Sequence, residues 1–271
     1  MGELSGMTAV VTGAGRMRSI GHSAAVALAR EGANVVVTGT GRSPDRYPDD
    51  EKAAGWRDVE SVADEVREAG AKALPMVVDV RDSQAIKDCL AQTVKEFGSV
   101  DILVNNAAAA KGNDRVPFIE LDDELWRLII DVNLTGSYYA SKYAALQMIE
   151  QGKGGRIINI SSVAGLRASA NTGAYGVSKA GMIGMNRYFA VELARYDINV
   201  NCVAPGLTAT YRIDDIMKAA EENPTMLRSV VPMGRAGSPD EVADAIVFFA
   251  GPRSSYITGQ TLNVDGGIYM D

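Results

Sequence analysis

Short apolar runs alternate with longer helix-like segments along almost the whole chain. The runs are TAVVT, NVVVTG, ALPMVVDV, DILVNNA, GRIINIS, INVNCVAP and QTLNVDGG. They are rich in Val and Ile without strict alternation, which is typical of strands buried on both faces. Because strand–helix alternation requires crossover connections, the pattern predicts an α/β fold: one doubly wound parallel sheet of about seven strands with helices on both faces. Ligands of such sheets bind at the carboxyl ends of the strands.

The helical segments carry start and stop signals. Ser238, Pro239 and Glu241 suit the N-cap, first and third positions of one helix, and Ser83 is the expected N-cap of another. Glycines follow several segments, as at the ends of helices. The segments are SIGHSAAVALAREG, DVESVADEVREAG, SQAIKDCLAQTVKEFG, DDELWRLIIDVNLTGSYYASKYAALQMIEQG, TGAYGVSKAGMIGMNRYFAVELARYD and SPDEVADAIVFFAG.

Two segments interrupt the alternation within what we interpret as a single domain spanning residues 1–271. Residues 39–58 are polar and contain two prolines, and residues 208–237 form a partly helical excursion. Long insertions in α/β domains are often lids or binding loops. We expect the excursion to be a substrate lid. For residues 39–58, a binding loop and a surface loop without chemical consequence are equally open.

Composition narrows the functional classes. The net charge of −7 argues against a general nucleic-acid surface. Cys89 and Cys202 are expected to be buried free thiols, and the single histidine, His22, is expected to be structural, so no metal site is predicted. The chain begins without a signal-like segment and contains no long apolar run. We therefore expect a soluble cytoplasmic protein that does not contact membranes.

The turn TGAGRMRSIG, residues 12–21, follows the first predicted strand and opens a helix. Glycines let a pyrophosphate approach the backbone, and the free N–H groups of a helix start bind its charge. The turn therefore indicates a dinucleotide site. The alanines of the following helix allow close packing on the sheet.

The segment YGVSK places Tyr175 and Lys179 on one helical face. An isolated phenol, with a pKa of about 10, is a poor acid–base catalyst near neutrality, and a nearby ammonium group favours the phenolate. The same spacing recurs in YYASK, at Tyr138 and Lys142. Position decides between them, because Ser162 ends a strand 13 residues before Tyr175, whereas Leu125 stands at that distance before Tyr138. We predict that Ser162, Tyr175 and Lys179 form the site and that Tyr138 serves packing or an interface.

Six motifs in order resemble the short-chain dehydrogenase/reductase family over nearly the whole chain. They are the glycine turn, DILVNNA, DVNLTG, the Ser-Tyr-Lys set, NCVAPG and the C-terminal PMGRAGSPDEVADAIVFFAG with ITGQTLNVDGG. The glycine turn has two extra residues with Ser19 in place of the middle glycine, and Ala108 replaces a glycine after the fourth strand. Within the family, the chain is most similar to 3-oxoacyl-carrier-protein reductases and related sugar or alcohol dehydrogenases.

The resemblance implies a Rossmann-type fold and hydride transfer between NAD(P) and a secondary alcohol or ketone. Tyr175 would be the general acid or base, Lys179 would assist it and hold the nicotinamide ribose, Ser162 would bind the substrate oxygen, and Asn133 would support a proton relay. The Tyr–Lys spacing argues against enoyl reduction, for which the family spaces the pair more widely. The implied cofactor-binding residues are Gly13, Arg16, Arg18, Ser19, Ile20, Gly21, Thr40, Arg42, Asp79, Val80, Asn106, Ala107, Tyr175, Lys179, Pro205, Gly206 and Thr208.

We expect NADP(H) to be preferred over NAD(H). NAD-preferring relatives of this fold place an acidic residue at the end of the second strand, where this chain has Gly39. Thr40 can donate a hydrogen bond there, and Arg16, Arg18 and Arg42 are candidates to bind a 2′-phosphate.

Two other functions remain open: a noncatalytic dinucleotide-binding regulator on the same fold, and a structural subunit that binds no dinucleotide. Apolar and small residues on several faces of two helices predict a homo-oligomer, and the family resemblance implies a homotetramer. The substrate, a small alcohol or carbonyl compound, would meet residues after Ala107, the segment VAGLRASANTG, and Tyr211, Ile213 and Met217.

Overall fold

Seven parallel strands form one sheet in the computed structural model, which describes residues 2–223 and 225–270. The strands are β1 (Thr8–Val11), β2 (Asn34–Gly39), β3 (Ala73–Val77), β4 (Ile102–Asn105), β5 (Gly155–Ile160), β6 (Ile198–Pro205) and β7 (Thr261–Val264). Their order is β3-β2-β1-β4-β5-β6-β7. The strand order reverses between β1 and β4, which opens a crevice at their carboxyl ends. This confirms the predicted Rossmann-type fold.

Helices cover both faces of the sheet. They are α1 (Ile20–Arg30), α2 (Asp49–Ala53), α3 (Val59–Glu68), α4 (Ser83–Phe97), α5 (Asp123–Ile130), α6 (Gly136–Gln151), α7 (Gly173–Leu193), α8 (Asp214–Glu222), α9 (Met226–Val230) and α10 (Pro239–Ala250). Val11 packs into one apolar cluster with residues of α1, α3 and α10, while Val10 packs into the other with residues of α4, α6 and α7. Successive residues of one strand thus enter two cores, which explains the unbroken apolar runs.

Most helix ends lie where the sequence signals predicted them. Ser238 and Glu241 form a reciprocal capping box at the start of α10. The N-cap of α4 is Asp82 rather than Ser83, because the Asp82 carboxylate accepts hydrogen bonds from the first-turn N–H groups. The segment predicted as one long helix is α5 and α6 joined by a π-helical turn, Asp131–Thr135. Such turns accommodate an extra residue and often occur at functional sites.

The structure places the three residues that were interpreted as structural, Cys89, Cys202 and His22, in packed or hydrogen-bonded positions. Cys89 and Cys202 are buried free thiols, as predicted. His22 lies between Glu65, 2.8 Å from its Nε2, and the main-chain oxygen of Met17, 2.6 Å from its Nδ1. This gives His22 the structural role that the sequence suggested. None of the helices in the described part of the chain is both long and apolar enough to cross a membrane.

The insertion at residues 39–58 is anchored on the glycine turn. Glu51 of α2 is fully buried and accepts hydrogen bonds from the Arg42 guanidinium at 2.8 Å and from the Met17 N–H at 2.9 Å. Trp56 donates from its indole to the Gly15 oxygen at 2.7 Å. The backbone N–H of Arg42 donates to Asp58 at 2.9 Å. The insertion is therefore one wall of the crevice rather than a detached surface loop.

Removing the buried partner of Arg42 should destabilise the fold. Replacing Glu51 by Leu leaves the Arg42 guanidinium largely buried without this carboxylate, which typically costs about 3–5 kcal/mol. Urea denaturation followed by circular dichroism, at one protein concentration, measures the change. The control is Asp45→Asn in the exposed part of the same insertion, which should change stability by less than about 0.5 kcal/mol. Equal stability of the two variants would contradict the anchoring role of Glu51.

Candidate active site

The end of β5 and the start of α7 bring Ser162 and Lys179 into one region. Ser162 follows β5 and caps a short 3-10 turn by accepting from the Ala164 N–H at 3.2 Å. Gly165 ends that turn so close to α7 that a Cβ on it would lie 2.7 Å from the Lys179 carbonyl carbon. This close approach presses the Ser162 segment against the helical turn that carries Tyr175 and Lys179.

The side-chain amine of Lys179 is held inside the protein. Only 2% of the residue is exposed, and Nζ donates to the Ile160 oxygen at 2.6 Å. Nζ lies 5.8 Å from the centre of the Tyr175 ring. Burial, followed by the positive charge of Arg212, lowers the pKa of Lys179 to about 7. The group therefore gains and loses its proton near neutrality.

Asn133 lies in the π-helical turn and connects the loop after β4 to α7 through hydrogen bonds. Its Oδ1 accepts from the Ala109 N–H at 2.8 Å, and its Nδ2 donates to the Ser178 hydroxyl at 2.9 Å. Ser178 in turn donates to the main-chain oxygen of Tyr175 at 2.7 Å. The loop after β4 is thus tied to α7 beside Tyr175, and the four predicted catalytic residues lie at the same edge of the sheet.

The second Tyr–Lys pair has similar internal spacing but different surroundings. Lys142 Nζ lies 5.8 Å from the centre of the Tyr138 ring. The Tyr138 ring is partly exposed and packs near the rings of Tyr139 and Phe189, at 5.6 and 6.3 Å between centres. These neighbours and the partial exposure of the ring are compatible with both roles expected for Tyr138, packing and an interface.

The glycine turn packs against the end of β4 and fits a dinucleotide. Gly13 has a φ of +66°, and a Cβ on it would lie 2.6 Å from the Cα of Ala107. Asn106 Nδ2 donates to the oxygens of Thr12 and Gly13 at 2.8 and 2.9 Å. Ser19 caps α1, which begins at Ile20, and Gly21 opens its first turn. A backbone free of side chains at a helix N-terminus suits a pyrophosphate.

Asp58 borders the predicted cofactor site, and the sequence analysis did not single it out. Its Oδ1 lies 3.5 Å from where a Cβ on Gly39 would be, and it also fills the space beside Gly15. Asp58 has a left-handed φ of 55°, which is uncommon for a residue other than glycine. Within residues 2–223 and 225–270, the hydrogen bond to Asp58 is made to Oδ2, by the Arg42 N–H, leaving Oδ1 without one. A carboxylate therefore lies next to the position that a side chain at residue 39 would take, although Val59 Cγ1 lies nearer to it at 2.9 Å.

Two of the three arginines expected to meet a phosphate are already paired. Arg18 donates to Asp214 through two bonds of 2.9 Å and to Asp50 at 3.0 Å. Arg42 pairs with Glu51 and lies 3.5 Å from Asp58. The insertion and the excursion thus supply carboxylates to Arg18 and Arg42, and binding of a phosphate by either arginine stays a prediction. Arg16 has no carboxylate within 4 Å in the described ranges, and burial lowers its pKa.

Other implied cofactor residues line the same edge. Thr40 is exposed beyond β2, and Val80 is buried beyond β3. The Asp79 carboxylate is bound by Arg81 at 2.6 Å, a hydrogen bond that lowers the pKa of Asp79. Pro205 ends β6 and Gly206 follows it. Thr208 is buried where the excursion begins and donates to the Gly206 oxygen at 3.3 Å.

The excursion at residues 208–237 reaches back across the crevice. The Tyr211 hydroxyl donates to Asp50 of the insertion at 3.0 Å, and the Arg18 guanidinium lies 4.0 Å from the centre of the Tyr211 ring. Asp214 opens α8 and binds Arg18. The excursion, the insertion and the glycine turn thus meet at one cluster of charged groups.

Two further arginines contact the Tyr175 ring, and no sequence motif indicates either of them. The guanidinium carbons of Arg115 and Arg212 lie 4.8 and 5.0 Å from the ring centre. Arg212 also donates to the Ala109 oxygen at 2.5 Å. Tyr175 is therefore surrounded by Lys179, Arg115 and Arg212, three cationic side chains from three segments.

Comparisons with known proteins agree with this architecture. A family model described as enoyl-(acyl carrier protein) reductase matches residues 13–269. The chain is 37% identical to L-rhamnose 1-dehydrogenase (NAD(P)(+)) of Azotobacter vinelandii over 97% of both chains. It is also 37% identical to a 3-oxoacyl-acyl-carrier-protein reductase of Vibrio cholerae over 99% of both.

A solved structure gives the same result. Carveol dehydrogenase from Mycobacterium avium, in complex with NAD, superposes with a TM-score of 0.87 at 30% identity, over 99% of each chain. A short-chain type dehydrogenase/reductase from Mycobacterium marinum superposes with a TM-score of 0.84 at 32% identity, over 99% of this chain and 98% of that one. The protein described here belongs to the short-chain dehydrogenase/reductase family of oxidoreductases.

Proposed function

We propose that the protein transfers a hydride between NAD(P)(H) and a secondary alcohol or the corresponding ketone. The observation that carries this proposal is the buried Lys179 ammonium beside the Tyr175 ring, at the sheet edge where the glycine turn opens. When bound, the nicotinamide supplies or accepts the hydride, and the protein supplies position and a proton path.

The side chains divide the proton chemistry between them. In oxidation, Tyr175 accepts the proton of the substrate hydroxyl, while the carbinol C–H bond breaks and its electron pair leaves with the hydrogen as a hydride. In reduction, Tyr175 donates the proton to the carbonyl oxygen. The charged form of Lys179 stabilises the phenolate and can hold the nicotinamide ribose. Ser162 can donate to the substrate oxygen. The side-chain amide of Asn133 is already hydrogen-bonded on both sides, so Asn133 supports the relay by positioning the loop after β4.

A ketone or alcohol suits the site better than an enoyl group. The Tyr–Lys spacing is the one that the family resemblance associates with carbonyl chemistry. The names of the relatives include L-rhamnose and 3-oxoacyl-carrier-protein substrates. Of the residues expected to meet the substrate, Ile213 is buried, and the Tyr211 hydroxyl is taken by Asp50. The Tyr211 hydroxyl is therefore engaged by Asp50. We expect the loop residues around Tyr211, and not this hydroxyl, to contact the substrate.

A noncatalytic dinucleotide-binding regulator is the alternative function. Such a protein needs the glycine turn but has no use for an ammonium group buried against a tyrosine. Burying an ion is costly unless it is compensated, which favours the enzyme. A structural subunit needs neither feature. A screen of alcohols and ketones for absorbance change at the nicotinamide band separates these functions.

Replacing Tyr175 by Phe should lower kcat by at least about 1000-fold, because proton transfer and phenolate formation are lost together. Binding of the nicotinamide nucleotide, followed by fluorescence titration, should persist. Tyr138→Phe is the matched control and should leave the chemical step intact. An inactive Tyr138→Phe beside an active Tyr175→Phe would reverse the assignment of the two pairs.

The proposed cofactor preference remains NADP(H), but on narrower grounds than the sequence suggested. Arg16 is the guanidinium near the turn without a carboxylate within 4 Å among the described residues, and Thr40 offers a hydroxyl. The negative charge of Asp58 disfavours the 2′-phosphate of NADP(H). The same carboxylate can accept a hydrogen bond from the ribose 2′-hydroxyl of NAD(H). We expect this balance to permit both nucleotides with NADP(H) favoured.

Two single variants test the contributions to this preference separately. Arg16→Gln should lower the NADP(H)/NAD(H) ratio of kcat/KM about tenfold, and Asp58→Asn should raise it by a similar factor, as expected for about 1.4 kcal/mol each. Dissociation constants of the reduced nucleotides, measured by fluorescence, should move in the same directions. Gly39→Asp is a poor test, since its Cβ would lie 2.9 Å from Val59 Cγ1. A wild-type protein that favours NAD(H) would overturn the preference.

A homotetramer is part of the proposal. Leu146 of α6 and Tyr188 and Val191 of α7 are exposed, as are Tyr256, Leu262 and Met270 in the C-terminal part of the chain. Exposed large apolar side chains on several elements suit the interfaces of a closed symmetric assembly. A cytoplasmic location is also proposed and is supported by the two free thiols.

Light scattering should show a tetramer at micromolar concentration, and Val191→Glu should reduce its mass, because a charge would be buried in an interface. Val77→Glu, which changes an exposed valine at the end of β3, is the control and should leave the mass unchanged. A wild-type monomer, or an unaffected Val191→Glu tetramer, would remove α7 from the interface.

A further inference from the structure

Two guanidinium groups lie against the proposed acid–base residue and have no assigned role in hydride transfer. Arg115 belongs to the loop that follows β4, and Arg212 belongs to the excursion that follows β6. Loops that follow parallel strands emerge at the same edge of the sheet, so both arginines approach Tyr175 from the ligand-binding side. Their guanidinium carbons lie 4.8 and 5.0 Å from its ring centre.

Neither guanidinium is closely paired. Arg115 Nε lies 3.5 Å from an Asp114 oxygen and is a buried nitrogen without a hydrogen-bond partner among the described residues. Arg212 donates to the Ala109 main-chain oxygen, and no carboxylate lies within 4 Å of it in the described ranges. Arg18 and Arg42 in the neighbouring cluster, in contrast, have close carboxylate partners.

The accumulation of positive charge is local. The chain as a whole carries a net charge of −7, yet Lys179, Arg115 and Arg212 surround one ring. Partly buried cations at a site favour an anion, and a guanidinium can bind both oxygens of a carboxylate. A neutral alcohol would leave Arg212 without a carboxylate within 4 Å in the described ranges, and Arg115 with only Asp114 at 3.5 Å.

We infer that the substrate is a hydroxy acid or the matching oxo acid, whose carboxylate is bound by Arg115 and Arg212 while its carbinol or carbonyl group faces Tyr175. This inference rests on the proposed function, because it places the reacting carbon at Tyr175. It deepens that function by naming the substrate class.

A competing role for the arginines is electrostatic tuning of Tyr175 and Lys179. Arg212 lowers the pKa of Lys179, so its removal raises that pKa and alters turnover of every substrate. Carboxylate binding instead affects acids selectively. The ratio of kcat/KM for an acid to that for its neutral ester separates the two roles, because tuning changes both values together.

The test uses 2-oxobutanoate, 3-oxobutanoate and 4-oxopentanoate, each beside its methyl ester, with the reduced nucleotide. Wild type should favour at least one acid over its ester by tenfold or more. Arg115→Gln and Arg212→Gln should each lower that ratio by about 10- to 100-fold, as expected for a hydrogen bond to a charged group. Arg195→Gln is the matched control, since Arg195 stacks at 4.8 Å on the Tyr196 ring away from the site.

Calorimetry adds a readout that does not require turnover. With the oxidised nucleotide present, an oxo acid cannot be reduced, so its dissociation constant is measured directly. We expect acids to bind wild type more tightly than their esters, and each of the two glutamine variants to lose that difference.

The proposal is overturned if acids show no advantage over esters in both turnover and binding, or if both variants keep the wild-type acid-to-ester ratio. Dihydroxyacetone phosphate is added to the panel as a ketone whose anionic group is a phosphate. A preference for this compound over every acid would also overturn the proposal. Failure of the proposed function gives a different pattern: no compound in the panel is turned over, while selective binding of acids can persist.

Discussion

The burial of one ammonium group is the constraint on which the site depends. Lys179 can remain inside the protein because the Ile160 oxygen accepts from it at the end of β5. That contact requires α7 to pass very close to the turn that follows β5, and Gly165 makes room for it. The same approach places Ser162 near the helical turn that carries Tyr175. The geometry of the proposed acid–base pair is therefore a consequence of how one buried charge is accommodated.

A second set of interactions closes the other side of the crevice. Arg18 of the glycine turn joins Asp50 of the insertion to Asp214 of the excursion, and Tyr211 packs on its guanidinium. These ion pairs are partly exposed, so each contributes only about 1 kcal/mol or less. Weak contacts between loops suit a wall that must open for a nucleotide to exchange. The buried pair of Arg42 and Glu51, in contrast, holds the insertion itself in place.

Local patterns made the fold predictable from the sequence. Strands buried on both faces, glycine stops and the Ser238 capping box depend on residues close together in the chain, and these signals gave the parallel sheet and most helices. The proposed catalytic set could be selected from the sequence because Ser162 stands 13 residues before Tyr175. The π-helical turn around Asn133 was not, since its residues continue the surrounding helical pattern.

Contacts between distant loops explain what the sequence analysis missed. Asp58 reaches the region beside Gly39 only because the intervening insertion folds back on Arg42. The prediction of Arg18 as a phosphate ligand did not anticipate its pairing with Asp214, which lies 196 residues away. Arg115 and Arg212 resemble ordinary surface arginines in sequence. Their position depends on two loops whose conformations no short motif specifies.

The charges around Tyr175 connect substrate binding to the proton on Lys179. Arg212 is one of the groups that lower the pKa of Lys179 to about 7, so repulsion from Arg212 disfavours the charged form of Lys179 before a substrate arrives. A carboxylate bound to Arg212 would offset that repulsion and raise the pKa of Lys179. The charged form of Lys179 stabilises the Tyr175 phenolate, which is the base in oxidation. By favouring charged Lys179, a bound hydroxy acid would therefore promote its own oxidation. An uncharged substrate would occupy the same space without this effect, which gives Arg212 a reason to lie beside Tyr175 without a close carboxylate partner of its own.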